Sequence, residues 1–148
     1  MLKKLLYLFT ITIFQVSYSA DFFWIGGTGN WSDVNHWSAT SGGAAGAILP
    51  TNADNVIFDN NSGLASAANI VTMDVAVVVD NFDYSAVPTP FTFASALLSI
   101  EIQGLFAANG LANYTWFGDF QFNSTIAGNT ITTNGQAFNH NFYFIEMN

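Results

Sequence analysis

The sequence predicts an all-β fold, a parallel β-solenoid in which short strands coil around one apolar interior. Three observations support this prediction. After residue 20, β-branched and aromatic residues dominate and helix signals are scarce. Apolar and polar residues alternate in several short runs, and aromatic residues recur at intervals of roughly 20 positions. An antiparallel β-sandwich also combines short strands with regular spacing, and it is the alternative.

The alternation identifies which side chains face inward. Ile100 and Ile102 share one face, and the same spacing recurs at Phe120 and Phe122 and at Phe142 and Phe144. The predicted strands are Ile70–Met73, Val75–Val79, Phe82–Tyr84, Phe91–Phe93, Leu97–Phe106, Tyr114–Phe122, Thr130–Thr133 and Phe138–Phe144.

The spacing of large apolar residues distinguishes a solenoid from a sandwich. Phe82, Ile102 and Phe122 stand at equal intervals along the chain. Phe144 follows at a slightly longer interval, and the interval from Phe58 to Phe82 is longer again. Each coil of a solenoid stacks about 4.8 Å above the last, so that like side chains form ladders. The spacing therefore predicts coils of roughly 20 residues.

Residues 1–19 have the three-part layout of an export signal. Lys3 and Lys4 form a positive start, Leu5–Val16 is apolar, and Ser17–Ser19 supplies small residues for cleavage. We place the cut after Ser19, with a cut after Ala20 as the alternative. An uncleaved membrane anchor is disfavoured, because the apolar run is well short of the roughly 20 residues that a spanning helix needs. We expect no transmembrane segment after cleavage.

Cleavage removes every cationic side chain except histidine. The chain has two Lys and no Arg, so the formal charge changes from −8 to −10. Binding to nucleic acid or to anionic membranes relies on Lys and Arg, so both kinds of binding are excluded. Neutral glycans and other surface proteins remain as partners. The chain also has no cysteine, which excludes disulfides and thiolate-bound metals.

We predict three segments. Residues 1–19 are the signal peptide, residues 20–50 a Trp/Gly-rich N-terminal cap followed by a loop, and residues 51–148 the solenoid coils. Solenoids need a cap, because a terminal coil otherwise exposes its core. The predicted cap residues are Trp24, Gly26, Gly27, Gly29, Asn30, Trp31, His36 and Trp37. The alternative is that the three tryptophans form a platform on which sugars stack.

The aromatic segment resembles the opening module of large surface proteins of the Bacteroidetes, which is also similar to the start of autotransporter passengers. The shared pattern is W-x-G-G-x-G-N-W-x-D-x-x-H-W, then D-x-V-x-F. It is matched by Trp24, Gly26, Gly27, Gly29, Asn30, Trp31, Asp33, His36 and Trp37, then Asp54, Val56 and Phe58. The resemblance implies a right-handed parallel β-helix on the exterior of the outer membrane, adhesin-like and usually exported by the type IX route. Such proteins end in a sorting domain, so the resemblance also implies that this chain is an N-terminal fragment.

Metal binding is not expected. Asp54 and Asp59 are weak calcium candidates, since both supply oxygen ligands near one predicted strand. The alternative is that they accept hydrogen bonds from the backbone at strand ends. His36 and His140 lack the spacing of a zinc site. We expect no cofactor.

Catalysis is not expected either. Asp74, Asp80 and Asp83 are close in sequence, and paired carboxylates hydrolyse glycosides. They fit turns and outward strand positions more simply. The sequence therefore predicts a non-catalytic, exported, adhesin-like surface module. The alternative is a fragment of a carbohydrate-active enzyme or a carbohydrate-binding module, in which carboxylate pairs and exposed aromatic residues would share one groove.

Overall fold

The computed structural model describes residues 19–95, 98–116, 118–138 and 142–147. The predicted signal segment through residue 18, Leu97 and His140 lie outside these ranges. The elements are β1 (Asp21–Trp24), β2 (Gly29–Asn30), a 3₁₀-helix (Val34–His36), β3 (Trp37–Ser38), β4 (Asn55–Ile57), β5 (Ile70–Met73), β6 (Val77–Val79), β7 (Phe82–Asp83), β8 (Thr92–Ser95), β9 (Ile100–Ile102), β10 (Phe106–Ala107), β11 (Asn113–Trp116), β12 (Phe120–Ser124), β13 (Ile131–Thr132) and β14 (Phe142–Met147).

The strands form three sheets that the chain visits in turn, which makes a parallel β-solenoid of about four turns. Sheet A has the order β13-β10-β7-β4-β1-β3, sheet B the order β11-β8-β5-β2, and sheet C the order β14-β12-β9-β6. Pairing is parallel throughout the described strands except between β1 and β3. The predicted solenoid is confirmed, and the antiparallel sandwich is wrong.

The observed register corrects the predicted repeat. Ile102, Phe122 and Phe144 do align in sheet C. Phe82 does not belong to that series, because it lies in sheet A between Val56 and Phe106. The predicted series therefore joined two different sheets. The coils are also less regular than predicted, since the step from Phe82 to Phe106 in sheet A is longer than the step from Ile100 to Phe120 in sheet C.

Two predicted strands each contain a corner of the solenoid, a turn at which the chain passes from one sheet to the next. The run from Leu97 to Phe106 contains β9 and β10, which lie in sheets C and A. Gly104 is buried at that corner, where an added Cβ would lie 2.2 Å from Oδ1 of Asn81. The run from Tyr114 to Phe122 likewise contains β11 and β12. The alternation of apolar residues continues across such corners, so it does not reveal them.

Aromatic ladders fill the interior. Phe82 stacks on Phe106 with ring centroids 6.2 Å apart and planes 4° from parallel, and Phe122 stacks on Phe142 at 5.7 Å. Burying each such side chain stabilises the fold by roughly 1.5–3 kcal/mol. The fully buried large side chains are Trp24, Trp37, Tyr84, Phe58, Phe82, Phe91, Phe93, Phe106, Phe120, Met73 and Ile100.

Two tyrosine hydroxyls meet inside this apolar interior. Tyr84, which has no exposed surface, and Tyr114 share a short hydrogen bond between their hydroxyl groups. Burial, followed by the neighbouring Tyr114, raises the pKa of Tyr84, and burial also raises the pKa of Tyr114. Both hydroxyls are therefore neutral at physiological pH.

Candidate functional site

The three tryptophans of the N-terminal segment pack against one another in the interior. Trp24 and Trp37 have no exposed surface, and Trp31 is 2% exposed. Trp37 meets Trp24 edge-on with centroids 5.1 Å apart and meets Trp31 at 4.7 Å. The indole Nε1 of Trp24 donates to the carbonyl of Gly27 at 2.7 Å. The Nε1 of Trp37 donates to the carbonyl of Trp31 at 2.8 Å. The polar groups of these two buried indoles are thus satisfied.

The tryptophan cluster continues the aromatic ladder of the coils. Trp24 stacks on Phe58 at 5.7 Å, and Trp37 meets the same ring at 6.3 Å. Trp31 stacks on Phe82 at 6.2 Å. The indoles therefore lie over the first coil, as the cap hypothesis requires, and present no open face on which a sugar could stack.

His36 seals one side of this cluster. Its ring lies parallel to Trp24, with centroids 4.7 Å apart and planes 9° from parallel. Its Nδ1 lies 2.7 Å from the carbonyl oxygen of Ile25. A Cβ added at Gly29 would lie 2.0 Å from its Nε2, so the imidazole needs the space that a glycine leaves. The imidazole is thus engaged in packing and in one hydrogen bond.

The remaining glycines of the segment bring two backbones together. Gly27 has a φ of +75°, and its N–H donates to the carbonyl of Ser62 at 2.9 Å. A Cβ at Gly27 would lie 2.8 Å from the carbonyl oxygen of Gly63. Gly26 also has a positive φ, of +82°. Asn30 pairs with Thr72 between β2 and β5, so this segment also supplies the first strands of sheets A and B.

The carboxylates of the two calcium candidates accept hydrogen bonds at strand ends. One Asp54 oxygen accepts from the N–H and hydroxyl of Thr51 at 2.8 and 2.6 Å, and the other accepts from the N–H of Ala20 at 3.2 Å. Asp59 accepts from the N–H of Asn61 at 2.8 Å. This is the backbone-bonding alternative. In the described part of the chain, no three potential metal ligands of the His, Cys, Asp and Glu types come together.

The three aspartates considered for glycoside hydrolysis have different surroundings. Asp74 accepts a hydrogen bond from the hydroxyl of Ser32, whereas Asp80 lines a groove with Gln103 and Asn123. Burial raises the pKa of Asp80. Asp83 lines a separate groove on sheet A and accepts from the N–H of Ser85. The structure does not bring these carboxylates into one cleft.

Polar side chains form a hydrogen-bonded ladder where the chain enters sheet A on successive coils. The sequence did not predict this ladder. The Nδ2 of Asn55 donates to Oδ1 of Asp21 at 2.6 Å, and Asn81 donates to Asn55 in the same way one coil further. Oδ1 of Asn81 then accepts the N–H of Leu105. Asn55 and Asn81 lie on successive coils, and their spacing along the chain becomes meaningful only once the strand register is known.

The outward side of sheet A next to this ladder forms a shallow groove of about 250 Å³. Asn55, Asn81, Asp83 and Thr132 supply polar groups there, and Leu105 supplies an apolar surface that is 43% exposed. Comparison with protein families, curated proteins and solved structures gave no match to this chain. Within the described ranges, no helix is long and apolar enough to cross a membrane.

Proposed function

We propose that this chain is an exported, non-catalytic structural module of a bacterial cell surface, with an adhesin-like role. The observation that carries the proposal is the division of the solenoid between its interior and its exterior. Aromatic ladders fill the interior from Trp24 to Phe142, and asparagine side chains form a ladder outside. A solenoid with aromatic ladders inside and side-chain amides outside suits display and repeated weak contacts better than it suits one catalytic centre.

The resemblance of the N-terminal segment to Bacteroidetes surface proteins supports the same proposal. The residues that carry the resemblance, from Trp24 to Trp37 and from Asp54 to Phe58, pack together at one end of the solenoid. A cap that starts a long surface β-helix accounts for that placement. Export by the type IX route and exposure on the outer membrane belong to the proposal.

The proposed partners are neutral glycans or other surface polymers. The chain downstream of residue 4 contains ten acidic residues and no Lys or Arg, so anionic polymers are repelled. The groove on sheet A offers amide and hydroxyl groups beside the apolar surface of Leu105. Such a mixture suits sugars, whose hydroxyls form hydrogen bonds while their C–H faces pack on apolar atoms.

Two measurements test the proposal on the full chain. First, in an exporting Bacteroidetes host, protease added to intact cells should degrade the protein. A protein protected inside the cell would contradict surface exposure. Second, the exported protein, displayed multivalently on a glycan array, should bind neutral glycans in preference to uronate-containing ones.

A matched pair of variants locates the binding surface. Leu105→Glu places a carboxylate in the groove of sheet A, and we expect it to reduce neutral-glycan binding at least about tenfold. Leu111→Glu is the control, because Leu111 is exposed to a similar extent, at 45%, and does not line that groove. Equal losses in the two variants would contradict the proposed surface. Turnover of a glycan that disappears in Asp80→Ala or Asp83→Ala would contradict the non-catalytic assignment and favour the enzyme alternative.

A further inference from the structure

The residue just before β1 is held at both of its backbone groups. The N–H of Ala20 donates to Oδ1 of Asp54 at 3.2 Å, and its carbonyl accepts the N–H of Asn55 at 2.8 Å. These contacts join the start of β1 to β4, which pairs with it in parallel. The side chain of Ala20 is exposed, so its backbone is fixed by hydrogen bonds and not by burial.

Asp54 is a carboxylate without a cationic partner among the described residues. It is 8% exposed, and its other oxygen accepts from the N–H and the hydroxyl of Thr51. These two bonds orient Oδ1 toward the nitrogen of Ala20. The donors are all neutral, although a buried carboxylate is better stabilised by an opposite charge. The chain beyond Lys4 has no Lys or Arg to supply one.

Export processing would create the missing charge. When a peptidase hydrolyses the bond between Ser19 and Ala20, water adds across it. Ser19 leaves as a carboxylate, and the nitrogen of Ala20 becomes an α-ammonium group. That nitrogen is the atom that lies 3.2 Å from Oδ1 of Asp54. A cut after Ala20 would instead remove both backbone contacts of that residue.

We propose that an export peptidase cuts between Ser19 and Ala20, and that the new Ala20 ammonium group binds Asp54 and locks β1 onto β4. This inference rests on the export that the proposed function includes. It also selects one of the two cleavage positions that the sequence leaves open. Asp54 is then the receptor for the processed N-terminus and not a metal ligand.

The composition of the chain makes this ammonium group easy to observe. Lys3 and Lys4 are the only lysines, so a chain that begins at Ala20 has one primary amine, its own N-terminus. Only the neutral form of the amine attacks an amine-reactive ester. An adjacent carboxylate favours the charged form and therefore slows the reaction.

The experiment begins with full-length protein expressed in an exporting host and purified after processing. Intact mass should place the N-terminus at Ala20. Labelling of the amine by an N-hydroxysuccinimide ester at pH 7 should be about tenfold slower than in Asp54→Asn, a difference that corresponds to one pKa unit. Asp59→Asn is the matched control, because Asp59 also bonds a backbone N–H at a strand end. It should label as slowly as the parent.

A second variant keeps Asp54 and protects the test against misfolding of Asp54→Asn. One glycine inserted between Ser19 and Ala20 moves the ammonium group one residue away, while Ala20 keeps its neutral N–H. Its processed amine, verified by mass, should also label about tenfold faster than the parent. Equal labelling rates in the parent and this variant, or a mature chain that begins at Asp21, would overturn the inference and leave export standing. An exported protein that retains residues 1–19 would overturn it as well. A chain that remains inside the cell would contradict the proposed function and this inference together.

Discussion

The N-terminal segment of the solenoid, called here its first rung, and strand β14, called its last rung, both carry aromatic side chains at interior positions. These side chains differ in exposure. Trp24 and Trp37 have no exposed surface, because the cluster that they form with Trp31 covers the first coil. Phe144 continues the inner ladder of sheet C and stacks on Phe122 at 5.5 Å, yet it is 57% exposed. Inward-facing aromatic side chains of this solenoid therefore differ widely in burial, from none of the surface exposed at Trp24 and Trp37 to more than half at Phe144.

The hydrogen bonds made by polar side-chain groups differ between these two regions as well. At the first rung, the indole nitrogens of Trp24 and Trp37 bond to nearby carbonyls, and His36 stacks over Trp24. Near the last rung, the side-chain amide of Gln136 pairs with both backbone groups of Ala112, accepting at 3.0 Å and donating at 2.7 Å. In the first region, packed rings cover the end of the aromatic ladder. In the second region, a side-chain amide forms the hydrogen bonds of a backbone N–H and carbonyl.

The largest expected effect is the difference between Trp37→Ala and Phe144→Ala. Trp37→Ala removes a fully buried indole and should lower the free energy of unfolding by about 3–5 kcal/mol. Phe144→Ala removes a ring that is more than half exposed and should cost less than about 1 kcal/mol. Urea denaturation of both variants measures this. Similar losses would mean that the tryptophan cluster does not cap the ladder.

The interior between the two regions should make the protein sensitive to alkali. The folded-state pKa values of Tyr84 and Tyr114 are raised by burial, so their contribution to stability is complete below the unfolded pKa of about 10. It is lost as pH rises above that value, at up to about 1.4 kcal/mol per pH unit for each tyrosine. Urea denaturation between pH 8 and 12 measures the slope. The Tyr84→Phe/Tyr114→Phe double variant should flatten it, and an unchanged slope would exclude these hydroxyls as its cause.

Within the N-terminal segment, Gly29→Ala tests how tightly His36 is held. The new methyl group would meet the imidazole, whose position is set by Trp24 and by the carbonyl of Ile25. We expect a loss of about 1–3 kcal/mol in the free energy of unfolding. The Gly29→Ala/His36→Ala double variant should recover part of it, because the clash is then absent. A double-mutant cycle without coupling would mean that the ring moves aside freely.

Near the last rung, Gln136→Leu tests the amide that pairs with Ala112. The substitution removes one of two acceptors of the N–H of Ala112, which also donates to Oδ1 of Asn109 at 3.1 Å, and it removes the Gln136 donor from the carbonyl of Ala112. We therefore expect a loss of about 1–2 kcal/mol. Gln121→Leu is the control, because Gln121 is half-buried and lies on the outward face of β12. It should change stability by less than about 0.5 kcal/mol. Equal effects in urea denaturation would argue against the backbone-pairing role.

The sequence predicts the faces of this fold better than its coils. Ile100 and Ile102 could be assigned to the interior, because alternation depends only on neighbours two positions apart. The spacing places Phe82 in the wrong ladder, because an inward aromatic residue of sheet A looks the same in sequence as one of sheet C. Corner lengths decide between them, and corners vary from coil to coil.

The same limit applies to the candidate site. The aromatic and glycine pattern identified the N-terminal cluster, since its residues are close in sequence, between Trp24 and Trp37. The pairs Tyr84–Tyr114 and Gln136–Ala112, and the contact between Ala20 and Asp54, each join residues of different coils. Only the register of the strands brings these groups together, and nothing in their local sequence indicates it.

The smallest expected effect concerns a link between the N-terminal segment and the coils. The N–H and hydroxyl of Ser32 both donate to Asp74, which follows β5. Partial burial of Asp74 raises its pKa, but these bonds outweigh that effect and hold the pKa below its usual value. The stabilisation is therefore present above the unfolded pKa of about 3.9 and is lost as pH falls through the folded value. Because Asp74 is exposed and screened by solvent, Ser32→Ala should cost less than about 0.5 kcal/mol at pH 7 and nothing below pH 2. Urea denaturation at both pH values measures the difference, and a loss that persists at pH 2 would assign the effect to packing of Ser32 instead.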